Sequence, residues 1–276
     1  MWFNAIMATK TYSSGLRGFL RRALLVLFAL FALLLLYVFL PFGGQRVVLL
    51  GSDARADEAS RSDTIVVAKA GGGMLAVPRD TLVEVPGVGQ DKVNAAFAYG
   101  GPELTVRTLE DFTGVEIGDY AVLDFGGTEE IVAALGGITV EVEEPIEAEQ
   151  DGEFFSIPAG TRELNGSEAL AYVRYRDAVT ADIGRVARQQ RFLLALAAEV
   201  SSPDNLPRLP ATARAVWRNV ETSMNPVEAA RFAVRFALFG VGTVQVYPGT
   251  PQYIDGISYW VPAPEAGPQA VAATVE

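Results

Sequence analysis

Twenty consecutive residues without a charge, Ala23–Phe42 (ALLVLFALFALLLLYVFLPF), constrain this chain more than any other feature. At ~1.5 Å per residue, a helix of that length spans ~30 Å, the thickness of a bilayer's hydrocarbon core. Residues 1–22 carry Lys10, Arg17, Arg21 and Arg22 and no acid. Basic flanks stay on the cytoplasmic side of a membrane. The N-terminus is therefore expected in the cytoplasm, and everything after Phe42 outside it, on a single-pass anchor in the cell membrane. A cleaved signal peptide is the competing reading. Its apolar core runs only ~7–15 residues and ends at small residues, whereas here the run is longer and LPFGGQR is a poor cleavage site. The expected organisation is a basic cytoplasmic segment 1–22, a transmembrane helix 23–42, an extracytoplasmic domain 43–260 and a disordered Pro- and Ala-rich tail 261–276.

What the chain lacks narrows its chemistry. It has no Cys, which excludes a disulfide framework, a Cys-ligated zinc and a Cys nucleophile. It has no His, which excludes Ser-His-Asp catalysis and histidine bases or ligands. Beyond the four cations of residues 1–22, the chain holds 18 basic and 33 acidic residues, a net charge of −15. That balance does not suit a nucleic-acid binder. Of the 22 basic residues 19 are Arg, whose planar fork matches phosphate.

Apolar patterning predicts a mixed α/β fold, a central mixed sheet with helices on both faces. Residues 45–52 (QRVVLLGS) read as a buried strand. TIVVAKA, three glycines and MLAVP (64–78) read as a hairpin. Residues 102–112 read as a helix with Pro102 in its first turn. Strands are expected at 120–125 and 138–143, with a helix at 127–135 that stops at Gly136-Gly137. SEALAYV after Leu164-Asn165-Gly166, a long amphipathic stretch at 183–200 and residues 226–239 read as helices, and 243–247 as a last short strand. Phe232, Phe236 and Phe239 recur at helical spacing, which reads as core packing, with a lipid-lining stripe as the alternative.

Several polar groups sit where α/β folds place ligand sites. Asp53 follows the first strand in GSDAR, and Asp63 opens the next in RSDT. Two such carboxylates, with phosphate oxygens and water, make a magnesium site. Each alone is equally a turn residue or helix cap. Arg79-Asp80 after MLAVP reads alone as a surface ion pair, and Asn94 as a helix cap. Arg174 and Arg176 would share a face of an extended segment. Asp182 suits the N-cap of the long helix, which puts Arg185 at its third position and Arg188 and Gln189 a turn later. Cations there oppose the helix dipole at ~0.3–1 kcal/mol each, which suggests a compensating anion at Arg185 and Gln189, or salt bridges to nearby acids.

The segments GSDAR, RSDTIVVA, VPRD, DKVNAAFAYGG, DYAVLDF, LGGITVEV, LNGSEALAYVRYR and DIGRVARQQ occur in this order. Over about residues 46–200, and in its N-terminal anchor, the chain resembles the LytR-CpsA-Psr family of bacterial envelope enzymes. The resemblance implies a phosphotransferase that moves a glycopolymer from a polyprenyl-pyrophosphate carrier to peptidoglycan and leaves a phosphodiester. It implies magnesium or manganese on Asp53 and Asp63. It places the pyrophosphate-binding arginines at Arg79, Arg174, Arg176 and Arg185, with Gln189 as their amide partner and Arg61 and Asp182 in support. Asp53, Asp63 and Arg79 are then the catalytic residues. Where the family often has Asp-Asp before Gly-Arg, this chain has Ala181-Asp182.

Charge supports the same reading. A pyrophosphate diester is repelled by so acidic a domain unless a metal and several arginines invert the local field. Without His, an acceptor hydroxyl gives its proton to a carboxylate, for which Asp53 is the candidate, or needs only late proton transfer. Two rivals stand beside this reading: a hydrolase of the same lipid pyrophosphate, and a non-enzymatic sensor that binds the lipid-linked polymer.

Overall fold

The computed structural model of the chain describes residues 18–29, 31–33, 36–37, 45–52, 62–150, 152–175, 181–239 and 242–276. Its contacts divide it into two units, Met1–Gly43 and Gly44–Glu276. In the first, residues 18–29 form a helix (α1), and 31–33 and 36–37 are also helical. Leu24, Leu25, Phe28, Phe31 and Leu33 are exposed. Among the described residues no helix is long and apolar enough to cross a membrane, and the run Ala23–Phe42 extends over residues outside the described set.

The second unit is built on alternation. In β1 (Arg46–Ser52), β2 (Ser62–Lys69) and β3 (Met74–Ala76), neighbouring apolar residues turn to opposite faces. β1 and β2 are antiparallel, as are β2 and β3, which is the expected hairpin. β6 (Asp119–Asp124) joins β1 in parallel, β11 (Val220–Thr222) joins β6 antiparallel, and β12 (Val244–Val246) joins β3 in parallel. The result is one mixed sheet of order β11-β6-β1-β2-β3-β12. Leu50, Ile65, Val67 and Leu75 pack against Ala96, Leu104 and Leu109 of α2 (Val93–Thr113) and Ala270 and Val271 of α8 (Ala266–Thr274). On the other face Val66, Ala68, Met74 and Ala76 meet Leu193 of α5 (Ala181–Ser201) and Phe232 and Phe236 of α7 (Pro226–Phe239). Each fully buried Leu, Ile, Val or Met among them contributes ~1.5–3 kcal/mol. The stripe on α7 is therefore core at Phe232 and Phe236, while Phe239 is exposed under the Arg235 guanidinium.

A second core forms beside the sheet. β7 (Ile138–Val142) pairs with β10 (Gly160–Leu164), and β8 (Ile146–Gln150) with β9 (Glu153–Ile157). Ile138, Val140, Ile157 and Leu164 from them close over Leu170 and Tyr172 of α4 (Gly166–Arg174) and Phe192 of α5. α4 is started by a capping box at Asn165, whose side chain accepts from Glu168 N–H while Glu168 reaches back to the Asn165 N–H. α3 (Phe125–Leu135) ends at Gly136, whose N–H donates to Val132 O at 3.0 Å.

Four expectations need correction. The stretch 261–276 is ordered: β13 (Gly249–Ile254) and β14 (Ile257–Pro262) form a hairpin beyond the strand expected to be last, and α8 follows with Val271 and Val275 buried. The helix expected from Pro102 is present, as the second half of α2 beyond a bend at Gly100 and Gly101. Asn94 is not a cap, because the helix starts at Val93. α5 begins at Ala181, so Asp182 lies inside the first turn and Arg185 in the second, where the dipole penalty has faded. Arg174 closes α4 rather than lying in an extended segment, and only at Tyr175 does the backbone become extended.

Candidate active site

One end of the central sheet carries the polar residues singled out above. Along the β1–β2 ladder Gly51 pairs with Thr64, but Ser52 pairs with Ser62. Asp63 is therefore the residue that the slip leaves without a partner across the ladder, a β-bulge of the kind that re-aims side chains beside functional sites. The fully buried Ser62 hydroxyl braces the bulge, donating to Thr64 O at 2.8 Å with Gly51 O at 3.3 Å. Asp53, next in the chain after Ser52, lies outside the described residues, as do Arg61 and Arg176.

Arg79 is held at the same end. β3 leaves the sheet after Ala76, with Val77 N–H still bonded to Ile65 O, two residues from Asp63. The turn Pro78–Thr81 then caps α2. Thr81 O accepts from Val93 N–H at 2.8 Å and Arg79 O from Asn94 N–H at 3.2 Å, so orphan donors of the helix start are met by backbone carbonyls rather than by a side-chain cap. Asp80 lies 3.5 Å from Arg79 Nε and 2.6 Å from Lys92 Nζ, which fixes the turn at its base.

α5 delivers the third group. Gln189 is 3% exposed, and its Oε1 accepts a hydrogen bond from the Thr64 hydroxyl, next to Asp63. One turn further on, Leu193 packs with Val66 and Ala68. One turn back, ~6 Å along the axis, the backbone of Arg185 therefore lies past Thr64, toward the Ser62–Asp63 end. Arg188 Nη2 donates to Tyr175 O at 2.8 Å and its guanidinium lies 5.0 Å from the Tyr175 ring centroid. That bond ties the end of α4, and with it Arg174, to the same half of α5. The backbone thus gathers the segments of Asp63, Arg79, Arg174, Arg185 and Gln189 at one end of the fold.

Asp124 was missed in the sequence. It ends β6, which runs parallel to β1, and it pairs in register with Ser52. It is an exposed carboxylate at the carboxyl end of a parallel strand, beside the end of β1. The LDF segment was its only signal. Among the described residues no three acidic side chains group around one point as a metal site. The available donors are oxygen only, with Asp63 at the bulge and Ser52, which precedes Asp53, paired to Ser62. That set suits a hard cation sharing its shell with phosphate oxygens and water.

An α/β domain whose sheet ends in arginines and carboxylates is the class defined so far. The LytR_cpsA_psr family matches residues 41–272, and the chain belongs to it. It is 34% identical over 225 residues to the polyisoprenyl-teichoic acid–peptidoglycan teichoic acid transferase TagU of Enterococcus faecalis, covering 77% of this chain and 73% of that one. It is 39% identical over 182 residues to the probable cell wall biosynthesis protein LcpB of Corynebacterium glutamicum; that match covers 59% of this chain and spans only 44% of the relative's length. The crystal structure of Bacillus subtilis TagV has a similar fold, with a TM-score of 0.72 and 28% identity over 82% of this chain and 93% of that one.

Proposed function

We propose that this protein is a membrane-anchored phosphotransferase that moves a glycopolymer from a polyprenyl-pyrophosphate carrier to peptidoglycan outside the cytoplasm. The observation that carries the reading is the hydrogen bond between Thr64 and Gln189. It fixes the arginine-bearing half of α5 against the strand that presents Asp63. The names of TagU and LcpB support a role in wall assembly. The charge-free run Ala23–Phe42 behind a basic N-terminus supports the anchor and its orientation.

In this reading Arg79, Arg174, Arg176 and Arg185 grip the pyrophosphate, each by charge-assisted hydrogen bonds, and Gln189 holds its orientation. Asp63 and Asp53 are the residues that would hold a magnesium or manganese ion, which when bound neutralises charge on the phosphoryl oxygens. The acceptor hydroxyl attacks the phosphorus attached to the glycan. The bond from that phosphorus to the bridging oxygen breaks, and polyprenyl monophosphate leaves. The hydroxyl proton passes to a carboxylate of this sheet end, for which exposed Asp124 is placed beside the site and Asp53 is the alternative. Positioning and charge neutralisation supply most of the rate in such a transfer.

The test is a labelled polyprenyl-pyrophosphate glycan incubated with peptidoglycan chains and magnesium. Label should reach the acceptor with wild type, and should fail to do so with chelator or with Asp63→Asn, by ~10²–10³-fold. Asp63→Asn should still bind the lipid. Free phosphorylated polymer in place of acceptor product would make the protein a hydrolase. Absence of turnover in wild type would make it a binder.

A further inference from the structure

The hairpin β13–β14 has no part in the reaction as described, yet it grips the turn that carries Arg79. That turn leaves the sheet after Ala76 and is held on both sides of Arg79 by residues far along the chain. Before Arg79, Ala76 O accepts from Tyr247 N–H at 2.8 Å. After it, Asp80 O accepts from Trp260 N–H at 2.8 Å, and Thr81 and Trp260 form a parallel bridge. One side chain joins the two grips. The Trp260 indole N–H donates to Tyr247 O at 3.1 Å. Ala76, Tyr247, Trp260 and Asp80 thus close a loop of hydrogen bonds that spans Arg79.

The hairpin bears on the Asp80 carboxylate as well. Tyr259, next to Trp260, presents its ring 5.6 Å from Lys92 Nζ, within range of a cation–π contact. That ammonium is ion-paired with Asp80 at 2.6 Å, and the same carboxylate lies 3.5 Å from Arg79 Nε. The three successive carbonyls from Arg79 to Thr81 all accept hydrogen bonds. The first and third bind the start of α2, and the middle one binds Trp260.

A guanidinium that closes on an anion gives up rotamer freedom, and a mobile backbone beneath it would add to that cost. A turn tied down in this way leaves only the side chain to be ordered. We propose that Trp260 is a positioning residue for Arg79. It acts through the backbone of the turn, not on the anion, and sets the point from which the guanidinium reaches phosphate. The inference rests on the transferase reading, in which Arg79 grips the pyrophosphate. A residue that merely packs the hairpin would matter equally with or without Arg79, and that difference can be measured.

The test is a double-mutant cycle in the full chain, read by calorimetry as the affinity for inorganic pyrophosphate with magnesium. Trp260→Phe keeps an aromatic ring and removes the indole donor. It should weaken pyrophosphate about 3–10-fold. In an Arg79→Ala background the same change should alter affinity by less than about twofold, because the group it positions is gone. Gly249→Ala should give the same coupling from the other strand, since an added Cβ would stand 2.4 Å from Trp260 Nε1. Melting of every variant is compared with wild type. Equal losses in both backgrounds would make Trp260 a packing residue and overturn the proposal. Undiminished affinity in Trp260→Phe, or no binding of pyrophosphate by wild type, would overturn it too. Coupling to Arg79 in a protein that transfers no glycan would sink the transferase reading and leave the positioning standing; transfer with equal losses in both backgrounds would do the reverse.

Discussion

At the hairpin end of the central sheet, backbone closes on backbone. Lys69 N–H donates to Gly73 O at 3.0 Å, Gly73 N–H to Thr274 O at 2.8 Å and Met74 N–H to Thr243 O at 2.8 Å. At the opposite end the same strands slip at Asp63, bury the Ser52 and Ser62 side chains, and run out toward Arg79, Asp124 and the start of α5. The first end satisfies these backbone groups within the protein. The second keeps a bulge and unlike charges together, an arrangement that adds little stability and makes sense as a place for a ligand. Substitutions at the two ends should therefore separate stability from activity.

The largest effect is expected from Asp124→Asn, which should slow transfer ~10²-fold or more if this carboxylate takes the acceptor's proton. Its melting temperature should match wild type. Gly73→Ala should do the opposite. An added Cβ would stand 2.4 Å from Thr243 O and 2.9 Å from the Thr274 Cα. Overpacking of this kind costs ~1–3 kcal/mol, read as a fall of ~2–4 °C in Tm per kcal/mol in a domain this size. Transfer per folded molecule should be unchanged.

Thr64→Val probes the point where the two properties meet. It strands the buried Gln189 carbonyl, at ~1–2 kcal/mol, and frees the α5 turn. A several-fold loss of pyrophosphate-lipid affinity should accompany a small drop in Tm. The smallest effect concerns alkali. Burial, and the hydrogen bond to Glu103, push the Tyr120 pKa from 10.0 to about 12. The unfolded chain loses this proton first, so stability that is full below pH 10 is lost as the pH climbs from 10 to 12. Urea unfolding at stepped pH should show the decline, and Tyr120→Phe should flatten it.

Large apolar side chains made most of the fold legible. β1, the β2–β3 hairpin, α3, α4, α5 and α7 all follow from the spacing of Leu, Val, Ile and Phe. The C-terminal element did not, because its core contacts are made by small residues. In α8 Ala270 and Val271 are buried, and a Cβ on Gly267 would sit 2.2 Å from the Tyr247 hydroxyl oxygen. Ala, Gly and Pro in that density are also the composition of a tail, and only close approach to a partner tells the two apart. At the site, residue types and their order were readable. Their junctions were not: nothing local links Thr64 to Gln189, 125 positions away, or sets Asp124 beside Ser52. The start of α2 was misread because backbone carbonyls of the Arg79 turn do the work that Asn94 was expected to do.

The edge of the sheet has a temporal meaning as well as a spatial one. β12 lies against β3 in parallel, with Val244 opposite Met74, so the strand that covers this edge is made long after the strand it covers. Until it arrives, β3 presents an unpaired edge open to other strands. Contacts this distant in sequence also slow the search for the native state. A chain made N-terminus first spends that interval half-assembled. For this fold the hazard lies in the waiting, and the protein is exposed to misassociation before its chemistry can begin.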